Sequence, residues 1–546
     1  MKYTSFLLSA LLFSGAAFSQ SLQLDKGVSK QLKTVKPEAL KGHIRYLADD
    51  KLQGRQPGTP GYQMAVDYVV QQFKGMGVQP AGENNTYLQT VRIRKAFTGK
   101  DATLSLTTAQ GTQHLVQGQD FTIYPNPQHA SMTVEAPLVF AGYGITAPEV
   151  GYDDYANLDV KGKIVVILRG APKSFHSTIA AASMHFSTIL QNAVNHGAVG
   201  VMVANPNPNP RLTVPNLAAG VNSVMLPDGK VAASGSYVSD QSRLFAYVNA
   251  ATFQTLLKGA GLDTAQVVAS LKNGTPASAA LPARLSGRYT STYRDFDSYN
   301  VVGKITGSDA TLREEYVVHS AHLDHMGIGT PVKGDSIYNG AHDNASGVAS
   351  VLEIAKLYSS LKEKPRRSLL FVLVTAEEMG LLGSAYFARY PTVPKQNIVA
   401  NINTDMPTLI APLLSAVALG AEHSSLAKPV ANAAAYLGIA VEADPEPDQN
   451  RFIRSDQFSF VSQGIPALHI KYGNKTKDGQ NNLNKQVEVW RASFYHKPQD
   501  ELNNSFDFEA AKRYVQLNFL ISYQVAQAQE RPTWNPNDIF GLRYKK

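Results

Sequence analysis

From Asn300 onward, short apolar runs alternate with helical patterns, and this alternation most limits what the chain can fold into. YNVVGKI (299–305), EYVVHSAHL (315–323), SLLFVLVTA (368–376), NIVANIN (397–403) and GIPALHI (464–470) are strand-length. Between them lies the helical stretch SGVASVLEIAKLYSSL (346–361), and FEAAKRYVQLNFLISYQVAQA, within 508–528, closes the region. Strands separated by helices predict an α/β sheet, largely parallel in its middle.

Upstream, residues 37–91 read as helix, loop, helix. The loop LQGRQPGTPG (52–61) is rich in turn residues, and YQMAVDYVVQQFKGMG (62–77) has helical apolar spacing ending at glycine. A β-rich stretch follows to about Ile123, and YPNPQ (124–128) marks a boundary. Between 130 and 285 the character changes. VFAGYGI (139–145), KGKIVVILRG (161–170) and GAVGVMVANP (197–206) read as short buried strands, and NPNPNP (205–210) as a loop. This block carries no catalytic cluster and reads as a module inserted into a longer domain. The expected division is 1–19 signal peptide, 20–129 first part of the main domain, 130–285 insert and 286–546 second part with the C-terminal helix.

With 546 residues, 44% of them hydrophobic and 17% charged, the chain is a folded protein of two or three domains. MKYTSFLLSALLFSGAAFS has a basic start, an apolar stretch too short to span a bilayer, and small residues before Gln20. That pattern predicts an exported protein, periplasmic or extracellular, with no stable membrane anchor. There are no cysteines, which excludes disulfides, thiolate ligands and a cysteine nucleophile and fits bacterial export. Any metal must be held by His, Asp and Glu. The formal charge of +8 comes from scattered Lys and Arg; the densest cluster, KEKPRR (362–367), contains an acid and reads as a solvated connection. Nucleic acid is not an expected partner.

The residues that carry chemistry follow the predicted strands, where open α/β sheets build their sites. His322 and Asp324 are two apart, so on an extended segment they face one way. The expectation is a metal-binding His322 with Asp324, on the same side, holding its ring or a neighbouring group in place, while His319 and His325, of opposite parity, are expected to be structural or at the surface. Asp343 precedes a helix; a lone aspartate there is most often a cap. Its neighbour His342 is not expected to share an ion with it. Glu377 and Glu378 are adjacent, and adjacent carboxylates repel unless something positive sits near them. Asp405 ends NIVANINTD, and His496 lies in SFYHKPQDE (493–501). Singly each has a mundane reading; together they predict a nitrogen/oxygen metal site.

At these positions HSAHLDH, NGAHDNASGV, VTAEEMGLLGS, NINTDM and FYHKPQDE resemble, in order, the five motifs of the co-catalytic dizinc aminopeptidases. The insert resembles the protease-associated (PA) domain of larger members through VFAGYGI, YDDYANLDVKGKIVVILRG and HGAVGVMVANP. The resemblance implies a three-layer α/β zinc-exopeptidase domain with a mixed, centrally parallel sheet, plus an inserted β-rich PA domain. It implies two zinc ions per chain: His322 and Asp405 on one, Glu378 and His496 on the other, and Asp343 bridging. Glu377 would be general base to a water between the ions, Asp324 would orient His322, and Tyr495 would help stabilise an oxyanion. RSDQF (454–458) resembles a family RSDH segment, so Arg454 is a candidate substrate contact. The chain departs from the family in having Gln457 where histidine is frequent and His342 where an acid is common. The implied activity is removal of N-terminal residues from peptides with a free N-terminus. A carboxypeptidase, which would need a basic cluster such as Arg451 and Arg454, and a non-catalytic binding homologue are the alternatives.

Overall fold

The computed structural model describes residues 22–205, 215–503 and 505–544. The expected signal at 1–19 lies outside them, as does most of NPNPNP. Among the described residues no helix is long and apolar enough to cross a membrane.

The centre of the larger sheet is four parallel strands, in spatial order Ser368–Val374, Tyr316–His322, Ile398–Asn403 and Ala467–Tyr472. Every residue of all four is buried, as expected of strands covered on both faces. Alternate side chains sort to opposite sides. Leu369, Phe371 and Leu373 join a core with Ile44, Val69, Leu352 and Phe519. Leu370, Val372 and Val374 face Phe387, Phe460 and Phe540 instead. Helices thus cover both faces, giving three layers. Antiparallel strands flank the parallel centre: Val301–Ile305 pairs with 369–373 on one side and Ser415–Leu419 with 469–472 on the other, so the sheet is mixed. Helix Pro60–Met76 starts with Thr59 capping the amide of Tyr62 and Pro60 in its first turn. Asp507 caps Phe508–Gln527 through Ala510.

A second sheet contains the parallel strands Ile164–Leu168, Gly200–Ala204 and Leu244–Val248. The 27-residue strand Ala279–Ile305 belongs to both sheets, pairing with 103–108 and 131–140 in the second and with 88–98 and 369–373 in the first. Its continuity joins the two sheets. Strands at 103–108, 111–115 and 121–123 already lie in the second sheet. Conversely the hairpin 221–234, from within the expected insert, pairs with 88–98 in the first. The turn signal near 124–128 is a loop between strands 121–123 and 131–140 of the second sheet.

Candidate metal centre

The C-terminal ends of the four parallel strands open onto one edge. His322 is the last residue of its strand. Asp343 lies in a short loop ahead of helix Ser346–Ser360, entered through Gly340 at φ 60°; a Cβ there would lie 2.1 Å from the Asp343 carbonyl and 2.6 Å from the His325 ring. The Asp343–Asn344 peptide is cis. Asn344 ties this loop to the next one: Oδ1 accepts from Gly347 and Met406 amides (3.0 and 3.1 Å) and Nδ2 donates to Thr404 O (2.9 Å). Glu377 and Glu378 follow strand 368–374. Asp405 follows strand 398–403, its carbonyl accepting from His469 Nε2 at 2.9 Å and Lys471 Nζ at 3.0 Å.

These loops converge. His322 Nε2 lies 3.3 Å from Asp343 Oδ1 and 3.4 Å from Asp405 Oδ1. His496 Nε2 lies 3.2 Å from Asp343 Oδ2 and 3.4 Å from Glu378 Oε2. Asp343 therefore gives one carboxylate oxygen to each cluster. Two ligands on a tetrahedral ion with bonds of 2.0–2.1 Å are about 3.3 Å apart, whereas a charge-assisted hydrogen bond is about 2.7–2.9 Å. The four separations have the ligand spacing, and imidazole with carboxylate donors suits a divalent ion such as zinc. Charge points the same way: Asp343, Glu377, Glu378 and Asp405 crowd around few cationic groups, and buried like charges need a cation among them.

Parts of the chain are similar to known proteins. Residues 300–520 match the model of peptidase family M28, and residues 134–235 match the PA domain. Residues 300–520 belong to peptidase family M28. Mouse carboxypeptidase Q is 36% identical over 121 residues, 21% of this chain and 23% of that protein. Leupeptin-inactivating enzyme 1 of Streptomyces exfoliatus is 30% identical over 233 residues, 40% and 48% of the two chains. The chain thus aligns with about half or less of the length of these two relatives. The solved aminopeptidase from Aneurinibacillus sp. strain AM-1 is 20% identical, covering 91% of this chain and 95% of its own at a TM-score of 0.47.

Within the M28 segment some residues behave differently from expectation. The Asp324 carboxylate is 3.9 Å from His322 Nδ1, which instead lies 3.2 Å from Asp324's own carbonyl oxygen. The carboxylate accepts the amides of Glu377 and Glu378, at 3.1 and 3.3 Å. It thus holds a neighbouring group, the glutamate pair, and the strand with its two-residue parity stops at His322. His325 lies beyond that point. It is buried, and its Nδ1 makes a 2.7 Å contact with Glu378 Oε1, a hydrogen-bond length. Spacing rules gave no signal for it once the strand had ended. His319 is structural: it is stacked on Phe371 at 6.0 Å with neither ring nitrogen partnered, and burial pushes its pKa down to about 3. His342 turns from the ligand cluster to stack on Phe506 at 3.7 Å. Gln457 is a tie, donating to Arg451 and Phe452 carbonyls and accepting from Asn403.

Tyr495 stacks on His496 at 3.8 Å and carries the Arg491 guanidinium at 4.2 Å on its ring; burial raises its pKa, so its hydroxyl remains a donor. Arg454 is exposed, with a 3.4 Å bond to Gln449 O. Arg451 is paired with Asp444 and Glu446. Burial pushes the Glu377 carboxyl well up, with Asp405, Asp456 and Glu378 adding to it. Burial opposes charge on Asp405, but His322 holds its carboxyl well below the usual range.

Proposed function

We propose that the chain is an exported dizinc aminopeptidase. The observation that carries this reading is the division of the Asp343 carboxylate between His322 and His496, at 3.3 and 3.2 Å. In this reading Asp343 bridges two ions, with His322 and Asp405 completing one site and Glu378 and His496 the other. Bound zinc supplies Lewis-acid polarisation and a water of lowered pKa. Glu377 would act as general base, taking a proton from the attacking water and delivering it to the leaving amine. Asp324 keeps Glu377 in place through its amide, and His325 keeps Glu378 turned toward the cluster. The Tyr495 hydroxyl is the donor available to a developing oxyanion, and the exposed Arg454 guanidinium reaches toward substrate. Peptides with a free N-terminus are the substrates. The N-terminal 19 residues serve as the export signal, with the periplasm or the extracellular medium as destination.

Arg451 is neutralised by Asp444 and Glu446, which argues against a basic cluster for a substrate's C-terminal carboxylate. The test compares signal-free protein on a Leu peptide with a free N-terminus and on its N-acetylated twin, with metal content read on the same sample. Cleavage of the free peptide alone, with about two zincs per chain, is expected. Cleavage of both from the C-terminal end overturns the aminopeptidase in favour of a carboxypeptidase, and a fully metallated protein that cleaves neither overturns the enzymatic reading.

A further inference from the structure

Two buried charged side chains, remote from each other in sequence, hold the same five-residue segment. Arg55 comes from the N-terminal loop LQGRQPGTPG, where Gln53, Gly54 and Arg55 all have positive φ (48°, 69° and 50°). A Cβ on Gly54 would lie 2.5 Å from the Tyr338 carbonyl, so the loop is pressed against the chain leading into the Asp343 loop. Left-handed conformations at two non-glycine residues cost energy, and here they aim a guanidinium into the interior, where it is 1% exposed. Arg55 Nε donates to Leu323 O at 3.0 Å, Nη1 to Asn339 O at 2.6 Å and Nη2 to Gly340 O at 3.1 Å. Leu323 lies between His322 and Asp324; Asn339 and Gly340 lead into Asp343.

Asp500 comes from the other end of the chain, four residues after His496, and is also 1% exposed. Its Oδ1 accepts the amide of His342 and its Oδ2 the amide of Asp343, both at 3.0 Å, and its carbonyl accepts the amide of Ala341 at 2.9 Å. The His342 ring nitrogen Nδ1 adds a 3.3 Å contact to Oδ1. From 339 to 343, then, two carbonyls are held by a cation and three amides by one acidic residue.

We infer that Arg55 and Asp500 are positioning residues: a buried clamp that sets the Asp343 loop in its ligating geometry before any ion arrives. The inference rests on the reading of Asp343 as the shared ligand. Both carboxylate oxygens of Asp500 and three of the four Arg55 bonds go to backbone groups of ligand-bearing loops; the fourth, from Arg55 Nη1, goes to Leu47 O at the end of helix Pro37–Leu47 and anchors the guanidinium. The charges of Asp324, Asp343, Asp500 and Glu378 also act on the guanidinium, against its burial, so it offsets part of the repulsion among those carboxylates. Outer groups of this kind typically alter metal affinity or activity about 10- to 100-fold when replaced.

Hydrogen exchange on the wild-type, metal-free protein tests the clamp without catalysis. The amides of 341–343 are expected to exchange about a thousandfold more slowly than free loop amides before zinc is added, and to change little on loading, as in a unit that opens rarely. Protection that appears only with zinc overturns the inference. Arg55→Lys and Asp500→Asn are then read by zinc competition and steady-state kinetics. About tenfold or greater loss of zinc affinity is expected, with kcat reduced at saturating zinc and KM within about threefold. Folded variants with unchanged zinc affinity and kcat overturn it. If the variants do not fold, exchange on the wild type still decides. Wild-type protein that binds no zinc, yet protects 341–343, refutes the dizinc reading and leaves the clamp standing as a structural device.

Discussion

Asp324→Asn separates two ways in which that residue could serve the site. The replacement is isosteric at a position with no exposure, so the fold should survive. In the native site both carboxylate oxygens accept backbone amides, Glu377 N at 3.1 Å and Glu378 N at 3.3 Å. An amide side chain keeps one acceptor and turns an NH2 toward the other N–H, so one charge-assisted bond is lost. Bonds to charged groups contribute about 1.5–3 kcal/mol. If that loss is felt as displacement of Glu377 in the transition state, turnover falls about 10- to 150-fold, at about 1.36 kcal/mol per decade. The His322 ring should scarcely notice, because its Nδ1 faces the Asp324 carbonyl at 3.2 Å and the carboxylate is 3.9 Å away. The assay is kcat for Leu-peptide hydrolysis over a zinc titration, with affinities from a competing chelator. A rate deficit that persists at saturating zinc is expected. Full recovery of the rate by added zinc would show that Asp324 works through the His322 ligand, and the reasoning from its amide contacts would be wrong.

Glu377→Gln should keep its zinc and lose about 10²- to 10⁴-fold in turnover, the usual contribution of a general base; a normal rate removes that role. Asp343→Ala should lose tight binding of both ions, read as metal per chain after dialysis, and two ions retained would contradict bridging. His319→Leu concerns stability. The folded pKa, about 3 against an ordinary 6.5, means the native ring stays neutral while the unfolded one charges. Its stabilising share is therefore complete above pH 6.5 and is lost as pH falls toward 3. At pH 5 the loss is about 2 kcal/mol, so the substitution should improve denaturant resistance of the metal-free protein more at pH 5 than at pH 7. An equal effect at both pH values would refute the neutral, unpartnered ring.

The ligand-bearing strand exits were legible because the central strands are buried on both faces and read as continuous apolar runs, with each polar residue standing out where a run stops. His325 was hidden by the same rule that found His322: alternation holds along a strand, and the strand ends at 322. Asp500 and Arg55 left no local signal at all. Apart from the Arg55 bond to Leu47 O, the partners that tie them to the Asp343 loop are backbone amides and carbonyls 157 to 285 residues away, and a backbone group has no letter in the sequence. One 27-residue strand serves both sheets, a continuity that the turn signal near 124–128 does not reveal.

A common design links the buried charges around the centre. Asp324 holds the amides of Glu377 and Glu378, Arg55 the carbonyls at 323, 339 and 340, Asp500 the amides at 342 and 343, and Lys471 the carbonyls of Asp405 and Met406. Four of the five proposed ligands thus sit on or beside backbone fixed by a buried ionisable group, so changing a ligand side chain removes a donor without freeing its loop. His496 is different. Among the described residues no buried ionisable group tethers its backbone, and its side chain is 34% exposed against 1% for His322 and 4% for Asp343. Tyr495 and Arg491 are stacked on that same side. The least enclosed of the clustered side chains, His496, marks the open side of the centre.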